Sequence, residues 1–173
     1  TGLGTIQNDD APPTTLVVTS TDDVDDGYCF ALGHCSLREA INAANFNADT
    51  NTVNFNIPNT DPGFSGGVYS IRPTSQLPFI NFPTTIAGES QPGFATTPVI
   101  EINGTLAPDN TSGLVLNGDS ATVRHMAVNN FLPGLGVDVT TGANNTITRM
   151  HIGTNAAGTA AAPNTGGYNQ NFA

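Results

Sequence analysis

The sequence predicts an all-β chain of parallel β-helix type, a solenoid covered at its N-terminal end by one α-helix. Three observations carry this expectation. Short apolar strands divided by Gly, Asn and Pro fill most of the chain. Two groups of these strands echo each other at offsets of roughly 23 and 24 residues, and periods in the twenties mark solenoids. Only one segment, SLREAINAANFN, has convincing helical spacing.

The echo is physical as well as textual. Leu114-Val115-Leu116 matches Val137-Asp138-Val139. Thr122-Val123, Met126 and Val128 match Thr146-Ile147, Met150 and Ile152. Stacked in register, Leu114/Val137, Leu116/Val139, Val123/Ile147, Met126/Met150 and Val128/Ile152 form five inward ladders. Val115/Asp138 and Ala127/His151 then face outward, as period-2 alternation requires. Leucine-rich repeats share the period, but their leucine and asparagine frame is missing. A β-sandwich of short strands remains the alternative.

Taken in order, residues 1–13 read as a strand end at Gly4–Asp10 and a linker broken by Pro12-Pro13. Residues 14–47 read as a cap: a strand at Leu16–Thr19, an acidic loop at Thr21–Gly27, then the helix. Ser36 is a natural N-cap, and Glu39 three residues later completes a capping box. Leu37, Ala40, Ile41 and Ala44 share one helical face. That face must lie on something, and the open end of a β stack offers apolar surface and unpaired backbone. Residues 48–173 read as stacked strands: Val53–Ile57, Val68–Ile71, Thr85–Ala87, Val99–Ile102, Leu114–Leu116, Thr122–Val128, Val137–Val139 and Thr146–Ile152.

Charge narrows the partners. The net charge is −10, lysine is absent, and four scattered arginines are the only strong cations. No basic patch exists to hold phosphates, so nucleic acid and anionic membranes are poor partners and cations are better ones. No apolar run is long enough to cross a membrane. No signal peptide is visible, so the numbered chain is expected to be a mature product or an excised segment. Cys29 and Cys35 flank a short loop. In an acidic, Thr- and Asn-rich chain this spacing favours a local disulfide over two reduced thiols.

The run Thr21-Asp22-Asp23, Gly27-Tyr28-Cys29 and Cys35-Ser36-Leu37-Arg38-Glu39-Ala40-Ile41-Asn42-Ala43-Ala44-Asn45 resembles the CSLREA domain, which opens many bacterial secreted β-helix proteins. Gly88–Phe94, Pro98–Gly104 and Ile152–Thr159 resemble the pectate-lyase-like coils of the same proteins. The resemblance covers about residues 16–165. Gly4–Asp10 resembles the last strand of a Calx-β domain. The resemblance implies a right-handed parallel β-helix with an N-terminal helical cap, exported to the cell surface or medium. It implies little chemistry, because the fold hosts lyases, hydrolases and adhesins alike.

Candidate sites are few. Asp22, Asp23, Asp25 and Asp26, followed by Gly27, are the best candidate for calcium, which takes six to eight oxygen ligands on a turn-forming loop. The bland reading is a solvated acidic turn. Asp9 and Asp10 are a weaker calcium candidate, by the Calx-β resemblance. Glu101 and Asp138 occupy similar outward strand positions and form the only glycosidase-like carboxylate pair. Arg149 should stack over His125 and Arg124 over Thr148, and these four residues read as outward decoration of a turn. His34, His125 and His151 do not form a metal site by spacing. The expected function is therefore a non-catalytic structural or adhesive surface module, with other copies of itself or surface glycans as partners. The alternatives are a subunit of an extracellular filament or surface layer, and a fragment of a polysaccharide lyase or glycosidase.

Overall fold

The computed structural model describes residues 14–27, 29, 33–46 and 48–166. The expected strand end at Gly4–Asp10, the weaker calcium candidate Asp9 and Asp10, and the tail 167–173 lie outside these residues. The described elements are β1 (Thr15–Val18), α1 (Leu37–Asn45), β2 (Asn51–Phe55), β3 (Phe64–Ser65), β4 (Val68–Ile71), β5 (Thr84–Ala87), β6 (Ile100–Asn103), β7 (Leu114–Leu116), β8 (Thr122–Arg124), β9 (Met126–Asn129), β10 (Val137–Val139), β11 (Thr146–Thr148) and β12 (His151–Ile152). Short 3-10 turns follow β5 at Gly88–Ser90 and β6 at Gly104–Leu106.

The strands form three sheets. One has the order β1-β2-β5-β8-β11, a second β12-β9-β6-β4-β3, and β10 pairs with β7 in the third. All pairs are parallel except the β3–β4 hairpin, where Phe64 faces Tyr69.

The expectation of an all-β, right-handed parallel β-helix is corrected by these elements. The described residues form a mixed α/β arrangement of separate parallel sheets. Helix α1 lies between β1 and β2 in the chain and contributes to the same core as both. One five-stranded sheet ends in an antiparallel hairpin. The spacing of paired strands is also irregular: Thr15 pairs with Thr52, Asn51 with Thr84, Thr85 with Thr122, and Thr122 with Thr146. In this sheet the period in the twenties thus holds only at the last step, while in the second sheet it also holds from β6 to β9, where Ile100 pairs with Met126. Earlier steps carry insertions, namely the helix, the hairpin and the Gly- and Pro-rich loops around residues 58–67 and 91–98.

Pairing at that last step follows the expected ladders. Val137 pairs with Leu114, Val139 with Leu116, Ile147 with Val123 and Ile152 with Val128. The outward pairs follow the same register, with Asp138 beside Val115 and His151 beside Ala127. Burial does not track facing: Val115 and Ala127 are buried, whereas Val139, Ile147 and Ile152, on the last strand level, are 48%, 41% and 46% exposed. Inner rows run through several levels. Leu16, Val53, Ile86, Val123 and Ile147 form one, and Ile71, Ile102, Val128 and Ile152 another. The predicted face of α1, Leu37, Ala40, Ile41 and Ala44, is buried against this core. Each fully buried Leu or Ile contributes about 1.5–3 kcal/mol.

Two strands expected to be continuous are each broken at a left-handed residue. His125, at φ 56°, separates β8 from β9, and Arg149, at φ 51°, separates β11 from β12 together with Met150. One left-handed residue turns the chain from the first five-stranded sheet into the second. Next to this corner, Gly88 packs so close to the His125 carbonyl and the Met126 side chain that a Cβ would clash with both.

Candidate functional site

The cap gathers the sequence-derived candidates. Cys29 and Cys35 are joined by a disulfide. It closes a loop that the Cys35 carbonyl ties to the end of β1, accepting from Thr19 N at 2.9 Å and Ser20 N at 3.3 Å. Helix α1 starts where the sequence places it. Ser36 Oγ accepts from Glu39 N at 3.1 Å, and Ser36 N donates to Glu39 Oε2 at 2.9 Å, so both halves of the capping box are made. Ser36 Oγ also donates to Val24 O at 2.7 Å, which fastens the acidic loop to the helix start. Ser36→Ala should therefore lower stability by about 1 kcal/mol through loss of the cap alone. Urea unfolding checks this, and an unchanged midpoint would show that the loop contact and the cap carry no net stability.

The four aspartates of the loop do not converge on one point. Asp22 accepts from Ser20 Oγ at 2.6 Å and Val24 N at 3.1 Å, and its Oδ2 lies 2.8 Å from His34 Nε2. Asp23 turns to Arg38, taking Nε at 2.9 Å and Nη2 at 2.9 Å, and also accepts from Thr74 N and Oγ1 at 2.8 Å each. Asp25 accepts from Asn42 Nδ2 at 3.0 Å. Only Asp26 joins a compact donor set. Its carboxylate, a ring nitrogen of His34 and the buried Glu39 carboxylate offer ligand atoms within 4.8 Å of one another. Glu39 Oε1 also accepts from Asp26 N at 3.1 Å. This triad is a candidate metal centre, and sequence spacing missed His34 as a member. The signal available was its place inside the six-residue disulfide span, directly before the capped helix.

His34 titrates above its ordinary value of 6.5. The hydrogen bond that His34 donates to Asp22 is the main cause. Burial opposes it, and the charges of Asp22, Glu39 and Asp26 add to it. For Asp22 the largest influence is burial, which pushes its carboxyl up. The hydrogen bonds from Ser20, His34 and Val24 outweigh burial and hold it below its ordinary 3.8. The raised histidine stabilises the fold fully below 6.5, and that contribution is lost as pH climbs through the raised value. The lowered aspartate stabilises above 3.8 and loses its contribution as pH falls through the depressed value. The contact is therefore strongest from about pH 4 to about pH 6.5. Metal-free protein should lose melting temperature between pH 6 and pH 9, and His34→Gln should flatten that slope. An identical slope in the variant would assign the pH dependence elsewhere.

The remaining candidates separate. Glu101 lies on β6 and Asp138 on β10, in different sheets, so they do not share a face. Glu101 instead accepts from Ser70 Oγ and Asn129 Nδ2, each at 2.8 Å. Arg124 pairs with Thr148 in register, as expected. Arg149 reaches the neighbouring corner, with Nη1 3.4 Å from His125 Nε2. The reading of this corner as decoration is corrected at two residues, since Glu89 lies between them, with Oε1 2.8 Å from Arg124 Nε and Oε2 2.9 Å from His125 Nδ1.

No family model, curated protein or solved structure matches the chain. Among the described residues, no helix is long and apolar enough to cross a membrane.

Proposed function

We propose that the chain is a structural or adhesive module of an exported protein, opened by a CSLREA-type cap. One observation carries this reading. The carboxylates Asp22, Asp23 and Asp25 go into holding the disulfide loop, the helix and the 74–76 segment together. An acidic cluster used in this way is a clamp, and a disulfide beside it suits an oxidising compartment. Surface glycans are the proposed adhesive partners. Retention of chain-coated beads on glycan-coated surfaces tests this. Shortened or unsaturated products from a polysaccharide incubated with the chain would replace it with the carbohydrate-active reading.

The cation that fits the cap is set by its donors. Calcium, expected for a four-aspartate loop, needs six to eight oxygens, and Asp22, Asp23 and Asp25 already face other partners. One imidazole nitrogen with two carboxylates suits zinc or a similar borderline ion. Zinc should raise the melting temperature above that in chelator, and millimolar calcium should not. A rise with calcium of the same size would restore the calcium loop, and no rise with either would leave a metal-free clamp.

A second reading, end-to-end assembly, is favoured by the last strand level. β10, β11 and β12 are each an edge strand of their sheet, and Val139, Ile147 and Ile152 on them are exposed. Light scattering at rising concentration tests it, and a constant monomer mass would remove it.

A further inference from the structure

We propose that the groove beside the His125 and Arg149 corners is a binding site for a small organic carboxylate. The first argument is where the cations lie. The chain has four arginines and three histidines against a net charge of −10. One of those arginines and two of those histidines, Arg149, His125 and His151, line this one groove, and no carboxylate lines it. The neighbouring anion is Glu89, which stands behind His125 and is already matched by Arg124, with Oε1 2.8 Å from Arg124 Nε and Oε2 2.9 Å from His125 Nδ1. Arg149 therefore leaves the groove itself with a positive charge. Glu101, across Ala127 from His151 in register, is engaged with Ser70 and Asn129.

The second argument is polar atoms that the fold leaves incompletely bonded. Glu89 Oε2, Arg124 Nε and His125 Nδ1 are buried and close, but their alignment does not make hydrogen bonds. Buried polar groups held by charge alone call for an explanation, and a ligand site is one. Glu89 at the Nδ1 side of His125 leaves Nε2 facing Arg149. The imidazole thus relays the position of Glu89 to the guanidinium that reaches the groove. His151 is oriented in its own way, its Nδ1 lying 2.8 Å from Ala156 O.

The third argument is shape. The groove encloses about 400 Å³, and Phe94, Pro98 and Met150 line it together with His125, Arg149 and His151. This volume lies within the roughly 300–1,000 Å³ of small-molecule sites. The Phe94 ring is tilted against His125, with centroids 5.1 Å apart. A charged guanidinium at one side and an apolar wall at the other select an anion carried on a flat carbon body. The planar guanidinium matches a carboxylate in two-point geometry, which a lysine does not reproduce. His125 and Arg149 both hold left-handed backbone, and such corners persist where the surroundings fix them.

The test uses the intact chain with benzoate as the probe, benzyl alcohol as its neutral counterpart and inorganic phosphate as an anion without a carbon body. Side-chain NMR at pH 6.5 follows the histidine and arginine resonances. Benzoate should shift His125, His151 and Arg149 saturably and leave His34 unmoved. Arg149→Asn keeps a residue that tolerates left-handed backbone, and it should weaken benzoate binding about tenfold or more, as loss of a charged hydrogen bond implies. Arg149→Lys should restore part of the affinity. Equal binding of benzyl alcohol, unchanged binding by the Arg149→Asn variant, or phosphate binding as tightly as benzoate would each overturn the carboxylate site.

Discussion

Replacing Arg38 by Met should destabilise the chain by about 3 kcal/mol, because it removes one partner of a largely buried ion pair. The side chains of Arg38 and Asp23 are 11% and 8% exposed, and they meet through two parallel contacts. Arg38 also donates to Gln76 O at 2.8 Å and Ser75 O at 3.1 Å. One guanidinium therefore ties the acidic loop, the helix and the segment entering β5. Met keeps the aliphatic volume but leaves the Asp23 carboxylate with Thr74 alone. Asp23→Asn placed on top of Arg38→Met should recover part of the loss, since the stranded charge is then gone. Urea unfolding of the four proteins in the cycle gives the coupling. A loss below about 1 kcal/mol for Arg38→Met would mean that Asp23 rehydrates freely, and the clamp reading of the cap would fail with it.

The cap was the most legible part of the sequence because its signals are local. Ser36 and Glu39 are three residues apart, and Cys29 and Cys35 are six apart, so spacing alone fixes what they do. The strand pairs of the last step were legible for a related reason: a repeat of roughly 24 residues prints register directly into the sequence. The fold class was not legible from that repeat. It describes one step of a sheet whose earlier steps carry a helix, a hairpin and loops of unequal length. Burial was not legible at Val115 and Ala127, where alternation tells which side a residue faces but not whether that side is covered. The acidic loop misled because charge density shows where carboxylates are, not where they point. Asp23 is taken by Arg38, fifteen residues on, and by Thr74, fifty-one residues on. The Glu89–His125–Arg149 group was half legible. The 24-residue offset stacks Arg149 on His125, but Glu89 reaches them only through the 3-10 turn after β5.

The same substitution at two levels of one inner row should have very different effects. Ile86 is fully buried between Val53 and Val123, and Ile147, two levels further along, is 41% exposed. Ile86→Ala removes buried methyl groups and leaves a cavity that the neighbouring strands cannot close without breaking register, so it should cost about 3–4 kcal/mol. Ile147→Ala removes side chain that is already partly in water, and it should cost less than about 1 kcal/mol. The contrast turns an exposed last level into a number. Unfolding of both variants at low protein concentration measures it. If Ile147→Ala costs as much as Ile86→Ala, something covers the last level in solution. If that cost then falls on dilution, the cover is a second copy, because stability that depends on association follows concentration. A large cost that ignores dilution would instead place the cover within the chain and end the end-to-end reading.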